Sequence, residues 1–228
     1  MPQHLVLFDI DGTLLTTNGH GVEAMMVTYN AVWGRDPRTV LYAMSGKTEL
    51  NISHELMALL GFSRAEVDAG LPDFWRRYPE ELRRHIAPET TTVLPGIRPL
   101  VAAVAGDARM VLGLVTGNCE AAARVKLEIA GLDGFALGAY GEHHEARAAL
   151  PPLAVAAAHE LLGDTFTGKS IVILGDTPND IACGRAVGAK TIAVGTGRFA
   201  AETLAAHHPD YLFADFSDHG AVMEAILA

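Results

Sequence analysis

The feature that most constrains this chain is an apolar run that ends in two acids, and it occurs twice. His4-Leu5-Val6-Leu7-Phe8 leads straight into Asp9-Ile10-Asp11-Gly12-Thr13, and Ser170 to Leu174 leads into Gly175-Asp176, with Asp180 following closely. Short apolar or β-branched runs closed by glycine and acid are how buried parallel strands end at a working edge. Such strands need a sheet covered on both faces, and their terminal acids then share one crevice.

The crevice constrains its own contents. At an effective dielectric of about 20, two like charges roughly 4 Å apart cost about 4 kcal/mol, so a cluster of carboxylates cannot stay ionised unaided. A hard divalent cation held by oxygen ligands relieves this, and Mg²⁺ keeps water positions open to exchange. The absence of a Cys/His quartet argues against zinc. We therefore expect Mg²⁺ as cofactor, with Asp9, Asp11, Asp176 and Asp180 as the acids that hold it.

Between the two acid pairs the text changes character. From Thr16 to about Leu94 the pattern predicts helices at Gly21 to Trp33, Glu49 to Leu60 and Ser63 to His85, the last opened by a capping box of Ser63 and Glu66. After Pro95-Gly96, helices and strands alternate: helix Pro99 to Ala105, strand Met110 to Val115, helix Glu120 to Ala130, strand Phe135 to Ala139. The series continues with helix Pro152 to Leu162, strand Ser170 to Leu174, helix Ile181 to Ala186 and strand Thr191 to Val194. Alternation at this spacing predicts an α/β fold with a doubly wound, Rossmann-like parallel sheet. The expected division is a core domain of residues 1–15 and 96–228 with an all-helical cap domain, 16–95, inserted after the first strand.

Bulk properties set outer bounds. With 27 acids against 17 Lys plus Arg, the formal net charge of −10 disfavours nucleic-acid backbones and anionic membranes as partners, so an anionic ligand must be recruited locally. The first strand begins too near Met1 for a signal peptide, no stretch approaches a membrane span, and Cys119 and Cys183 read as reduced thiols, so a cytoplasmic location is expected. Monomer and homodimer both remain open.

Asp9-Ile10-Asp11-Gly12-Thr13 resembles the first motif of the haloacid dehalogenase superfamily in its phosphatase branch. Thr116-Gly117-Asn118, after the strand Met110 to Val115, is similar to the family's second motif, with a hydroxyl and backbone N–H groups suited to phosphate oxygens. Gly175-Asp176-Thr177-Pro178-Asn179-Asp180 resembles the fourth, whose acids hold magnesium, and the helical insertion resembles the caps of phosphoglycolate phosphatase-like members. The resemblance implies that Asp9 attacks phosphorus and Asp11 serves as acid and then base, while Thr13, Thr116, Gly117 and Asn118 bind substrate. It also implies that Lys47, in Ser45-Gly46-Lys47-Thr48, reaches from the cap toward the phosphate. Strand alternation would let Asp9 and Asp11, spaced by one, point the same way.

The third motif departs from the usual pattern. Where many relatives carry a lysine, this chain has His143-His144-Glu145-Ala146-Arg147, so Arg147 is the candidate cation, with Lys126 competing. Glu142 to Glu145 has no ligand pair at helical spacing and reads as a solvated loop, as does His207-His208. Trp33, Phe74, Trp75 and Tyr78 read as cap core rather than as a substrate box. The implied activity is hydrolysis of a small phosphate monoester, of phosphoglycolate or sugar-phosphate type. A phosphomutase of the β-phosphoglucomutase type and a non-catalytic phosphate-binding protein are the alternatives. Carbon–halogen cleavage would leave Asp11 without a leaving oxygen to protonate and Asp180 without a metal to hold.

Overall fold

A computed structural model describes residues 2–228. The chain runs β1 (His4–Phe8), β2 (Leu15–Thr16), α1 (His20–Trp33), α2 (Glu49–Leu59), α3 (Arg64–His85), β3 (Thr92–Val93), α4 (Ile97–Gly106), β4 (Met110–Val115) and α5 (Glu120–Ala130). It continues through β5 (Leu137–Ala139), α6 (Leu150–Leu162), β6 (Ile171–Gly175), α7 (Pro178–Ala186), β7 (Lys190–Val194), α8 (Ala201–Ala205), β8 (Tyr211–Phe213) and α9 (His219–Leu227). Six strands form one sheet in the order β5-β4-β1-β6-β7-β8, each neighbouring pair parallel.

This order makes the functional crevice. From β1 the chain goes to β4 on one side and β5 beyond it, then crosses back to β6 on the other side of β1. The carboxyl ends of β4, β1 and β6 therefore lie side by side at a topological switch point. Alternation along β1 divides the core: Val6 and Phe8 face α4, α5 and α9, while Leu5 and Leu7 face α6 and α7.

The predicted elements are present, with ends shifted by a few residues. Five more carry too little pattern to read from sequence: β2 and β3, which pair as a two-residue ladder, and α8, β8 and α9 after the last predicted strand. The ladder ties the two ends of the helical segment together, and Leu94 N–H donates to Leu14 O at 3.0 Å. Within that segment Ala24, Tyr29, Leu56, Phe74 and Tyr78 pack into one apolar cluster, which also takes in Cys119, Ala122 and Val125 of α5. The helical block thus shares its core with the outer face of a helix of the sheet domain. The Ser63 capping box forms as expected and opens α3 despite Pro72 and Pro79 inside the helix.

Phe8 is fully buried in the central strand. Phe8→Ala should cost about 3–5 kcal/mol of stability, mainly as cavity. Leu153→Ala, at a position 40% exposed, should stay within about 0.5 kcal/mol. Denaturant unfolding of both variants checks the contrast.

Candidate active site

The β1 ladder ends at Phe8, and Asp9 N–H makes the last rung to Leu174 O at 2.9 Å. The chain then turns, and Ile10 O accepts from the N–H groups of Thr13, Leu14 and Leu15. Gly12 is required at this turn: its φ is +87°, and a Cβ there would lie 2.4 Å from Asp176 Oδ2. The turn also carries Thr13, whose hydroxyl donates to Asp176 Oδ1 at 3.0 Å.

Three acids meet behind this turn. Carboxylate oxygens of Asp9, Asp176 and Asp180 lie within 4.8 Å of one another, and all three residues are buried. A capping box places Asp180: its Oδ2 accepts from the Thr177 backbone N–H at 3.0 Å and the Thr177 hydroxyl at 2.7 Å as α7 begins. Arg147, buried between β5 and α6, sets its Nη2 2.8 Å from Asp9 Oδ1 and 2.6 Å from Asp180 Oδ1. Its Nε is buried without a partner among the described residues.

Burial, with Asp180 and Asp11 adding repulsion and Arg147 opposing, pushes the Asp9 carboxyl up to about 6. Burial and the charges of Asp9 and Asp180 push Asp176 up to about 8, against the Thr13 hydrogen bond and Arg147. One guanidinium thus does not neutralise three buried acids. The donor set is all oxygen, anionic and converging, which fits a hard divalent cation of the Mg²⁺ kind.

The four-acid expectation needs correction at Asp11. Its side chain is 44% exposed, and the carboxylate faces the other way, toward Lys126 and Asn118. Strand alternation does not carry on to Asp11, because the Asp9 N–H makes the last rung and the turn rotates the next two residues. Lys126 Nζ lies 2.8 and 2.6 Å from the two Asp11 oxygens and 2.6 Å from Asn118 Oδ1. Asn118 Nδ2 donates to Asp11 Oδ2 at 2.7 Å and to Thr116 Oγ1 at 2.9 Å. Arg147 and Lys126 are therefore not competitors: each attends its own aspartate.

Two further assignments change. Thr13 and Thr116 are fully buried behind the cavity wall rather than on it, serving Asp176 and Asn118 respectively. Lys47 is on the wall, but its Nζ is held 2.5 Å from Glu55 Oε2 and 4.4 Å from the centroid of the Tyr42 ring. Its backbone makes the closer approach: a Cβ on Gly117 would lie 2.1 Å from Lys47 O.

The cavity in front of the acids has a volume of about 420 Å³. Asp9, Asp11 and Asn118 line its sheet side, and Met25, Glu49 and Tyr78 line its helical side. Sequence reasoning missed Glu49 and took Tyr78 for core alone. Glu49 directly follows the segment read as reaching the phosphate, which was the available signal. Burial pushes its carboxyl up to about 7, with Lys126 and the Cys119 N–H pulling the other way.

The family model for haloacid dehalogenase-like hydrolases matches residues 4–188, spanning both acid pairs and the helical segment between them. The chain belongs to this family. It is 30% identical over 210 residues to a phosphoglycolate phosphatase of Chromobacterium violaceum, covering 88% of this chain and 89% of that protein. It is 27% identical over 225 residues to the pyrophosphatase PpaX of Bacillus pumilus, covering 96% of each. Among solved structures, a β-phosphoglucomutase from Clostridium difficile superposes with a TM-score of 0.71 at 16% identity, over 100% of this chain and 98% of that one. A hydrolase from Pseudomonas syringae superposes with a TM-score of 0.67 at 17% identity, over 99% of both chains. At these identities the structures establish the shared fold. No helix among the described residues is long and apolar enough to cross a membrane.

The raised acids imply a pH dependence. Asp176 binds its proton more tightly in the folded, cation-free protein, at about 8, than at the ordinary 3.8 of an unfolded chain. Its stabilising contribution is complete below the ordinary value and is lost as pH rises through the upper one. The Tm of cation-free protein should fall across that window, and Asp176→Asn should flatten the slope. Added Mg²⁺ should raise Tm most at the alkaline end. A Tm indifferent to both pH and Mg²⁺ would contradict the acid cluster.

Proposed function

We propose that this hydrolase is a Mg²⁺-dependent phosphatase acting on small phosphate monoesters through an aspartyl-phosphate formed on Asp9. The observation that carries the reading is the separation of the first two acids: Asp9 sits buried among Asp176, Asp180 and Arg147, while Asp11 sits half-exposed with Lys126 and Asn118. Two carboxyls in unlike surroundings suit two unlike roles.

In this reading Asp9 is the nucleophile, oriented by Arg147 at 2.8 Å. Its attack on phosphorus and the loss of the ester oxygen leave a covalent intermediate that water then cleaves. Asp11 delivers a proton to the departing oxygen and afterwards takes one from that water. Lys126 and Asn118 hold its carboxylate in place for both steps. Asp9, Asp176 and Asp180 would hold Mg²⁺, and the ion would supply positive charge to phosphoryl oxygens. The backbone N–H of Gly117, on the cavity wall just after β4, offers a donor to those oxygens.

Residues 16–95 act as a cap over a core of 1–15 and 96–228. The shared ladder of β2 and β3, and the contact of Lys47 with Gly117, support that division and its closure over the site. The phosphoglycolate phosphatase named above supports a small phosphorylated metabolite as substrate, and the lack of a membrane-crossing helix among the described residues fits a cytoplasmic setting. A phosphomutase would use the same two aspartates but return the phosphoryl group to a sugar hydroxyl. A phosphate-binding protein would have no need of the paired acids.

Phosphate release from a panel of phosphate monoesters is expected with Mg²⁺ and not with EDTA. Asp9→Asn should abolish it, and Asp11→Asn should lower kcat by about 10²–10⁴. A fully active Asp9→Asn enzyme would refute the mechanism, whereas an isomerised sugar phosphate without phosphate release would identify a mutase.

A further inference from the structure

The helical segment meets the later motifs through one short stretch. Asn179 Nδ2, in the fourth motif, donates to Gly46 O at 2.6 Å, and the Glu49 N–H donates to Gly117 O of the second motif at 2.8 Å. Thr48, which caps α2, is fully buried, and its hydroxyl donates to Glu145 O at 2.8 Å. Glu145 lies in the third-motif loop, two residues before Arg147.

The Glu145 side chain is held from the same direction. Arg64, the first residue of α3, places Nη1 3.4 Å from Glu145 Oε2, and its Nη2 pairs with Oε1. His54, on α2, sets Nδ1 3.3 Å from Glu145 Oε1, while its Nε2 lies 2.7 Å from Asp68 Oδ1 on α3. Arg64 Nε completes the group at 3.8 Å from Asp68 Oδ2. The Arg64 guanidinium holds the Glu145 carboxyl below the usual carboxylate range, so this residue faces the helical segment as an anion. Backbone and side chain of Glu145 are thus both anchored to the helical segment, while Arg147 is anchored to Asp9 and Asp180.

The link between the two residues is short. The Ala149 N–H donates to Ala146 O at 2.9 Å and closes a single 3₁₀ turn over Arg147. Arg147 Nε has no partner among the described residues, so where the guanidinium meets Asp9 depends on where this turn holds its stem.

We propose that Glu145 is a positioning residue that links docking of the helical segment to Arg147: Thr48, His54 and Arg64 hold the loop, and the loop sets the guanidinium against Asp9. The role of Asp9 in this rests on the phosphatase reading, whereas the anchoring of the turn does not. The Arg64 and Glu145 side chains are 64% and 33% exposed, so their pair is worth a factor of about 1.4 to 5, the range of exposed ion pairs.

Arg64→Gln and Glu145→Gln test this in the full chain, by amide hydrogen exchange and by turnover of p-nitrophenyl phosphate with Mg²⁺. Exchange reads local opening. In each variant it should quicken about threefold at Glu49, whose N–H crosses to Gly117, and at Ala149, whose N–H closes the Arg147 turn. The kcat should fall about threefold with KM little changed, because Arg147 orients the nucleophile. The double variant should be no slower than either single one, and the ratio of wild-type to double-variant kcat should shrink toward one as NaCl rises. Exchange unchanged at Ala149, kcat unchanged in either variant, or losses that multiply in the double variant would overturn the link. If the wild-type chain releases phosphate from no ester, the phosphatase reading falls, and exchange at Ala149 by itself decides whether docking holds the turn.

Discussion

Three carboxylates held together out of water put this structure under an electrostatic load that its other parts answer. Asp9, Asp176 and Asp180 converge because the strands before them are neighbours in a parallel sheet and the helix after β6 is capped by the third acid. Arg147 opposes the repulsion at two of them and leaves the rest to protons or to a divalent cation. Thr13 and Thr177 direct oxygens of Asp176 and Asp180, and Gly12 lets the first turn pass against Asp176 without a side chain in the way. The rest of the site is arranged around that anionic centre.

Asp11 escapes the load by facing elsewhere. The ladder ends at Phe8, and the turn after it carries Asp11 to the cavity edge, where Lys126 and Asn118 hold it. Two aspartates one residue apart thereby acquire different surroundings, one buried beside an arginine and two acids, the other half-exposed beside a lysine and an amide. The proposed two-step chemistry needs such a difference, because a nucleophile must be unprotonated when it attacks while its neighbour carries a proton in and out.

The helical segment contributes more than shielding. Its apolar cluster continues onto α5, the helix that carries Lys126, and its loop before α2 meets Gly117 backbone to backbone. The lysine that holds Asp11 therefore sits on a helix packed between the sheet and the helical segment. Glu49 and Tyr78 come from that same segment, so two of the polar side chains on the cavity wall belong to the helical block.

Local pattern was enough to place most strands and helices, both acid pairs and the Ser63 capping box, since these follow from periodicity, propensity and adjacency. Arg147 was reached through the family resemblance, as a cation near the expected third-motif position, with Lys126 left open as the rival. What sequence could not decide was direction and partnership. Asp11 and Lys126 are 115 positions apart, and Glu49 and Cys119 are 70 apart. Their meeting depends on how α5 packs against α1–α3 and on where a ladder stops, quantities that no local pattern encodes. The sequence by itself determined which chemistry the chain carries, because strand ends and acid spacing are local. The tertiary structure decided which carboxylates converge, which cation serves each aspartate and which helical side chains line the cavity, because burial and long-range contact set those partnerships.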